Sequence, residues 1–281
     1  MLYGNLFLKK VSLNMTAHSI EEKHSIVLVN YKTRRLTSMC LELLKKQLEL
    51  KAWQVWVVDN DSNDDSLEYL RSLEWIQLIE RKTDAPEPPH ISHARALDMA
   101  FDRIPSRYVF VIHTDTFVYD VTIFTRMLSL LHSSSTCVGV GCVEQVDRGK
   151  ARSFFRFLKK AFSYYYRLLL TRMGIECRQV KFYHEKHLKS FCALWDKRQI
   201  KNNGLRFCMQ DKNPGYVMQD ELVDRGYQVI KLRPAIMFKY LDHIQSGTLV
   251  ETGEHSKAHR RSLSYQRILS ELEIPSVVLG E

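Results

Sequence analysis

Over its first 120 residues the chain alternates short apolar runs with segments of helical spacing. Ser25-Ile26-Val27-Leu28-Val29-Asn30-Tyr31 has the pattern of a buried strand. Leu36, Met39, Cys40, Leu43, Leu44 and Leu48 follow at helical spacing and predict a helix over Leu36–Leu50. A second strand, Trp53–Val58, ends abruptly in the polar run Asp59-Asn60-Asp61-Ser62-Asn63-Asp64-Asp65-Ser66. Then come a helix over Leu67–Leu73, a strand over Ile76–Glu80, the loop Ala85-Pro86-Glu87-Pro88-Pro89, a helix from Ser92 to Phe101 and a fourth strand over Val109–Ile112. Strands alternating with helices predict an α/β fold, a doubly wound and mainly parallel sheet flanked by helices. Right-handed crossovers would carry the first, second and fourth strand ends to one side.

Beyond residue 120 the pattern predicts a helix over Val121–His132, a strand over Val138–Val146 and a returning strand within 188–200. A helix over Tyr216–Arg225, closed by Gly226, and a final strand over Tyr227–Leu232 follow. Residues 1–23 show no clear period and read as an N-terminal arm. The remainder, 24–281, reads as one domain, with halves 24–120 and 121–281. A basic tail (Lys257, His259, Arg260, Arg261) precedes a helical stretch over Leu263–Leu272.

Composition supports a packed core, with 45% hydrophobic residues among 281. A net charge of +9 points to an anionic partner: a nucleotide diphosphate, phosphate, an acidic membrane or nucleic acid. The six cysteines (Cys40, Cys137, Cys142, Cys177, Cys192, Cys208) are scattered without a zinc-type spacing and read as the reduced thiols of a cytoplasmic protein. No apolar run is long enough to span a membrane, and Met1–Lys10 lacks the extended apolar region of a signal peptide.

The candidate chemistry lies at strand ends, where an open α/β sheet places its ligands. After Val109–Ile112 comes His113-Thr114-Asp115-Thr116. Alternate residues of an extended chain point the same way, so His113 and Asp115 together can hold a divalent cation, and the cation a diphosphate. The competing reading is an aspartate that caps the next helix. Asp59, closing the second strand, is placed to accept hydrogen bonds from a base or ribose; the Asn60–Asp65 cluster after it is also ordinary turn chemistry.

Four motifs together resemble the family 2 glycosyltransferases of the GT-A fold: Ser25–Tyr31, Val57-Val58-Asp59-Asn60-Asp61-Ser62, Ser92-His93-Ala94-Arg95-Ala96-Leu97-Asp98 and His113-Thr114-Asp115-Thr116. The resemblance implies transfer of a sugar from a nucleotide-diphosphate donor, UDP-linked by preference, to a saccharide or lipid-linked hydroxyl, with inversion at the anomeric carbon. It implies that Asn30, Tyr31 and Asp59 contact the nucleoside and that Asp115 is the principal ligand of Mn²⁺ or Mg²⁺ against the diphosphate. His113 departs from the family, which usually has an aspartate there, and Asp98 stands where the family often has asparagine; both are grouped with the cofactor-binding set. The family's late histidine corresponds to His243 in Tyr240-Leu241-Asp242-His243-Ile244-Gln245-Ser246-Gly247, the preferred second metal ligand, with His113 as the third. The catalytic base is implied in an acidic pair near the start of the helix over Tyr216–Arg225. Asp220 matches by residue type and Asp211 by spacing from Gly226-Tyr227, and both are retained. The remaining histidines read as ordinary.

Residues 150–173 change character. Arg152, Arg156, Lys160, Ser163 and Arg167 form a polar stripe at helical spacing beside a wide aromatic and aliphatic face. That is the composition of a helix lying peripherally on an anionic membrane, here its inner, cytoplasmic face. It is also that of a packed helix with a solvated basic edge. Nucleic acid is disfavoured as the partner. A nucleotidyltransferase would normally show a Gly-rich phosphate loop, which Asn30-Tyr31-Lys32-Thr33 is not. A non-catalytic nucleotide-sugar-binding module of the same fold stays open because the base is not fixed.

Overall fold

A computed structural model describes residues 24–49, 52–147, 149–177 and 185–244. The N-terminal arm, the basic tail and the stretch over Leu263–Leu272 lie outside the described residues. In chain order the first half runs β1 (His24–Asn30), α1 (Arg34–Gln47), β2 (Trp53–Asn60), α2 (Asp65–Arg71), β3 (Ile76–Arg81), α3 (Pro89–Arg103) and β4 (Tyr108–His113). The second half runs β5 (Thr116–Val118), α4 (Thr122–Leu131), β6 (Cys137–Cys142), α5 (Gly149–Arg172), β7 (Cys192–Asp196), α6 (Lys197–Asn202), α7 (Tyr216–Asp224), β8 (Gln228–Leu232), α8 (Pro234–Met237) and β9 (Leu241–His243).

The unbroken apolar runs are those of strands covered on both faces. Ile26 and Leu28 of β1 enter the core beneath α1 and α4, whereas Val27 and Val29 enter the one beneath α3 and α7. The seven-stranded sheet has the order β3-β2-β1-β4-β7-β6-β8. β3, β2, β1 and β4 are mutually parallel; β7 runs antiparallel between β4 and β6, and β8 is parallel to β6. One sheet therefore runs through both halves of the chain. β6 leaves room for its neighbour through a glycine: a Cβ on Gly139 would lie 2.5 Å from the Trp195 ring.

Several boundaries differ from the sequence pattern. α2 starts at Asp65 because the Asp64 side chain accepts the Ser66 amide at 3.1 Å. α3 starts at Pro89, whose fixed φ suits a first helical turn. β8 is not the last strand. β9 pairs antiparallel with β5, setting Thr116 opposite His243, so His243 lies within a strand rather than beyond one.

Of residues 150–173, all up to Arg172 are helical, but their orientation reverses the expected one. Arg156 donates to Glu144 at 2.9 Å and Lys160 to Glu185 at 2.7 Å, so this part of the basic stripe turns towards the protein while Arg152 stays exposed. The aromatic side faces outward rather than into the core, with Lys159 and Arg172 exposed at its edges.

Candidate active site

The parallel register brings the polar strand ends level: Asn30 pairs with Asp59, and Val29 with His113. The β5–β9 ribbon then folds back over the end of β4. The result is a cluster in which His113, Asp115 and His243 each offer one ligand atom, all within 4.8 Å of one another. His243 Nε2 lies 3.2 Å and His113 Nδ1 3.8 Å from Asp115 Oδ1.

The far side of each ring is tethered. His243 Nδ1 is 3.0 Å from the Gln145 carbonyl, which can only accept, so Nδ1 carries a proton and Nε2 is left for a ligand. His243 Nε2 is buried and faces Asp115 Oδ1. His113 Nε2 is 2.8 Å from Ser190 Oγ, an arrangement that leaves Nδ1 bare when Nε2–H donates. Burial, reinforced by His93 and His243, pushes the His113 imidazole down to about 3, against the pull of Asp115. It is therefore a neutral donor at physiological pH. Burial also opposes charge on His243, but Asp115 outweighs it and raises that pKa. Two imidazole nitrogens and a carboxylate oxygen fit a divalent cation, and nitrogen donors suit Mn²⁺ better than Mg²⁺.

On the nucleoside side, Asn30 is fully buried and fully engaged. Its amide donates to Asp59 Oδ1 (2.9 Å), Ser62 Oγ (3.1 Å) and Ser66 Oγ (2.8 Å), and its oxygen accepts from Thr37 (2.7 Å) and Thr33 (3.2 Å). Asp59, equally buried, also accepts from Ser62 Oγ at 2.6 Å. Both residues thus lock the strand ends together beneath the surface, and Tyr31, 43% exposed, is the member of the expected set that presents a face to solvent. Asp98 is turned elsewhere: its carboxylate accepts the Phe207 and Cys208 amides at 2.7 and 3.1 Å, tying that loop to α3. Burial raises the Asp98 pKa against those two bonds.

The two base candidates differ in setting. Asp220 on α7 accepts from His187 at 2.9 Å and pairs with Lys186 at 2.8 Å. Burial works to raise its pKa, but these partners outweigh it and hold the carboxyl below its ordinary value. Gln219 beside it clamps the backbone of Leu188, accepting from the amide at 2.7 Å and donating to the carbonyl at 3.2 Å. α7 thereby fixes the segment that ends in Ser190, the partner of His113. Asp211 has an 81% exposed side chain, sits on a turn with left-handed backbone (φ 46°) and, among the described residues, pairs with His90 at 2.9 Å.

The model of the family described as "Glycosyl transferase family 2" matches residues 25–192, more than half of the chain. The chain belongs to glycosyl transferase family 2. Two similar solved structures share its architecture. The mannosyltransferase PcManGT from Pyrobaculum calidifontis, in complex with GDP-Man and Mn²⁺, superposes with a TM-score of 0.54 at 13% identity, over 92% of this chain and 65% of its own. S. aureus TarS 1–349, in complex with UDP-GlcNAc, gives 0.50 at 12% identity, over 90% of this chain and 67% of its own. At such identities the likeness speaks for the fold, which is GT-A. The chain spans 65% of the mannosyltransferase's length. No curated protein sequence matches it.

Within this glycosyltransferase domain, two histidines that read as ordinary in the sequence stand at the site. His93 on α3 packs edge-to-face on His113, with centroids 5.3 Å apart, and its Nε2 is buried without a hydrogen bond. Burial pushes its pKa down to about 4, Asp115 pulling the other way. His187 stacks on Tyr216 at 4.1 Å while it binds Asp220. Arg81, buried at the end of β3, was also silent in the sequence; it donates to Asn60 (2.7 Å) and Glu87 (2.6 Å), joining the strand end to the Pro-rich loop. A histidine in a motif is a signal, but its partners come from segments far away in sequence.

Proposed function

We propose that this chain transfers a sugar from a nucleotide-diphosphate donor, UDP-linked by preference, to a hydroxyl of a saccharide or lipid-linked acceptor, with inversion at the anomeric carbon. The observation that carries this reading is the convergence of His113, Asp115 and His243 at the end of β4, beside the aligned ends of β1 and β2. Residues 24–120 form the donor half and 121–281 the acceptor half. Asp115, His243 and His113 hold the cation, Mn²⁺ in preference to Mg²⁺; when bound it neutralises the charge of the leaving diphosphate.

Tyr31 offers its exposed ring to the nucleoside, and Asn30 and Asp59 keep that strand end rigid from below. Asp220 is the base: held ionised by its partners, it takes the proton of the acceptor hydroxyl. The acceptor oxygen bonds to the anomeric carbon as the bond from that carbon to the diphosphate breaks. His187 and Lys186 orient the Asp220 carboxylate. Segment 150–173 makes a peripheral contact with the cytoplasmic face of a membrane, where a lipid-linked acceptor resides.

Thermal unfolding with UDP-, GDP-, CDP- and dTDP-sugars, each with and without Mn²⁺, tests the reading, because a ligand of the folded state raises its apparent stability. A UDP-sugar should raise Tm only when Mn²⁺ is present. If no nucleotide sugar shifts Tm, the donor site is wrongly assigned.

A further inference from the structure

α5 inverts the usual arrangement of an amphipathic helix. A surface helix normally turns its apolar stripe to the core and its charges to water. Here Arg156 and Lys160 point inward to Glu144 and Glu185, with distances of 2.9 and 2.7 Å. The opposite side carries Phe155, Leu158, Phe162, Tyr165, Tyr166 and Leu169, of which Phe155 is 68% and Phe162 74% exposed. At 100° per residue these six fall on one arc and run from Phe155 to Leu169 along the middle of the 24-residue helix. A contiguous exposed face of this kind marks an interaction site.

We propose that this face inserts, in the plane of the surface, into the interfacial zone of a lipid bilayer, and that apolar insertion rather than the basic stripe supplies the affinity. Three observations select a bilayer over a second copy of the chain. α5 contains no acidic residue that could meet the exposed Lys159 and Arg172 of a second copy, and each copy carries a net charge of +9. Exposed Lys159 and Arg172 flank the apolar arc at headgroup level. Tyr166, 53% exposed, combines an apolar ring with a hydroxyl suited to water or headgroups. No helix among the described residues is long and apolar enough to cross a membrane, so α5 lies on the surface. Docking also has a direct line to the metal cluster. Glu144, which holds Arg156, immediately precedes Gln145, whose carbonyl orients His243.

The inference rests on the peripheral reading above but replaces its mechanism, and flotation of the full chain with vesicles separates the two. With pure phosphatidylcholine vesicles the protein should float, and its partition should change less than about threefold between roughly 0.05 and 0.5 M salt. Phe155→Ser/Phe162→Ser/Leu169→Ser should lower partition at least ~100-fold and leave Tm and the nucleotide-sugar shift unaltered. Flotation only with anionic vesicles, lost at high salt, would overturn the insertion mechanism and keep the peripheral reading. Absence of flotation with either vesicle overturns both. A wild-type dimer in light scattering that the triple variant disperses, without vesicle binding, would assign the face to a second copy instead.

Discussion

Two regions break the rule of apolar inside and polar outside, in opposite senses. At the end of β4 two histidines and a carboxylate are drawn under the surface, where an unpaired charge is costly. Along α5 a row of aromatic rings is turned out into water. The first violation is compensated by orientation: Gln145 and Ser190 hold the rings so that lone pairs converge, the arrangement a cation requires. The second has no such polar anchoring among the described residues. A buried polar cluster defines a ligand, and an exposed apolar face defines a surface.

Breaking the metal cluster should have the largest effect. Asp115→Asn removes the one anionic ligand; activity should fall by about 10³ or more, and the Mn²⁺-dependent Tm shift with UDP-sugar should vanish. Asp220→Asn should lower kcat by about 10²–10⁴ with donor affinity retained, the signature of a lost base. Asp211→Asn should stay within a few-fold. Equal losses at both positions, read from kcat and donor Kd, would reject the choice of Asp220. Asn30→Ala, which strands Asp59 and two hydroxyls in the core, should cost about 3 kcal/mol in denaturant unfolding. A loss of donor affinity without a loss of stability would return Asn30 to direct nucleotide contact.

The smallest effect concerns how α5 is held. Burial tends to raise the Glu185 pKa, but Lys160 and Lys189 outweigh it and bring the carboxyl down to about 2. A depressed carboxyl stabilises the fold above its unfolded value, ~4.3, and that stabilisation is lost as the pH falls towards 2. Glu185→Gln should reproduce the loss at neutral pH, seen as faster hydrogen exchange confined to α5. Unchanged exchange there would show that the inward stripe does not anchor the helix.

Most of the sheet was legible because unbroken apolar runs admit few arrangements. The four parallel strands and their helices follow from period and from crossover handedness. Asp115 was legible as a strand-end carboxylate, and His243 as the family's late histidine. The β5–β9 pairing that joins them was not, since three-residue strands leave almost no pattern. Asn30 and Asp59 stood at the expected edge, yet their side chains satisfy each other beneath it, and no spacing rule reports which hydrogen bonds win. Asp98 sits in a family motif but faces the loop at Phe207. For α5 the period shows that the two faces differ. Which one turns inward depended on Glu144 and Glu185, carboxylates outside the helix.

The central claim is that histidine nitrogens from β4 and β9 share one cation with Asp115. Pulsed electron paramagnetic resonance on Mn²⁺ bound with UDP reads this directly, because a coordinated imidazole modulates the echo at nitrogen frequencies. Nitrogen modulation should appear in the wild-type protein, weaken in His243→Ala and weaken again in His113→Ala/His243→Ala. An echo without nitrogen modulation, in protein that binds Mn²⁺ and UDP, would place the ion among oxygens alone and contradict the account.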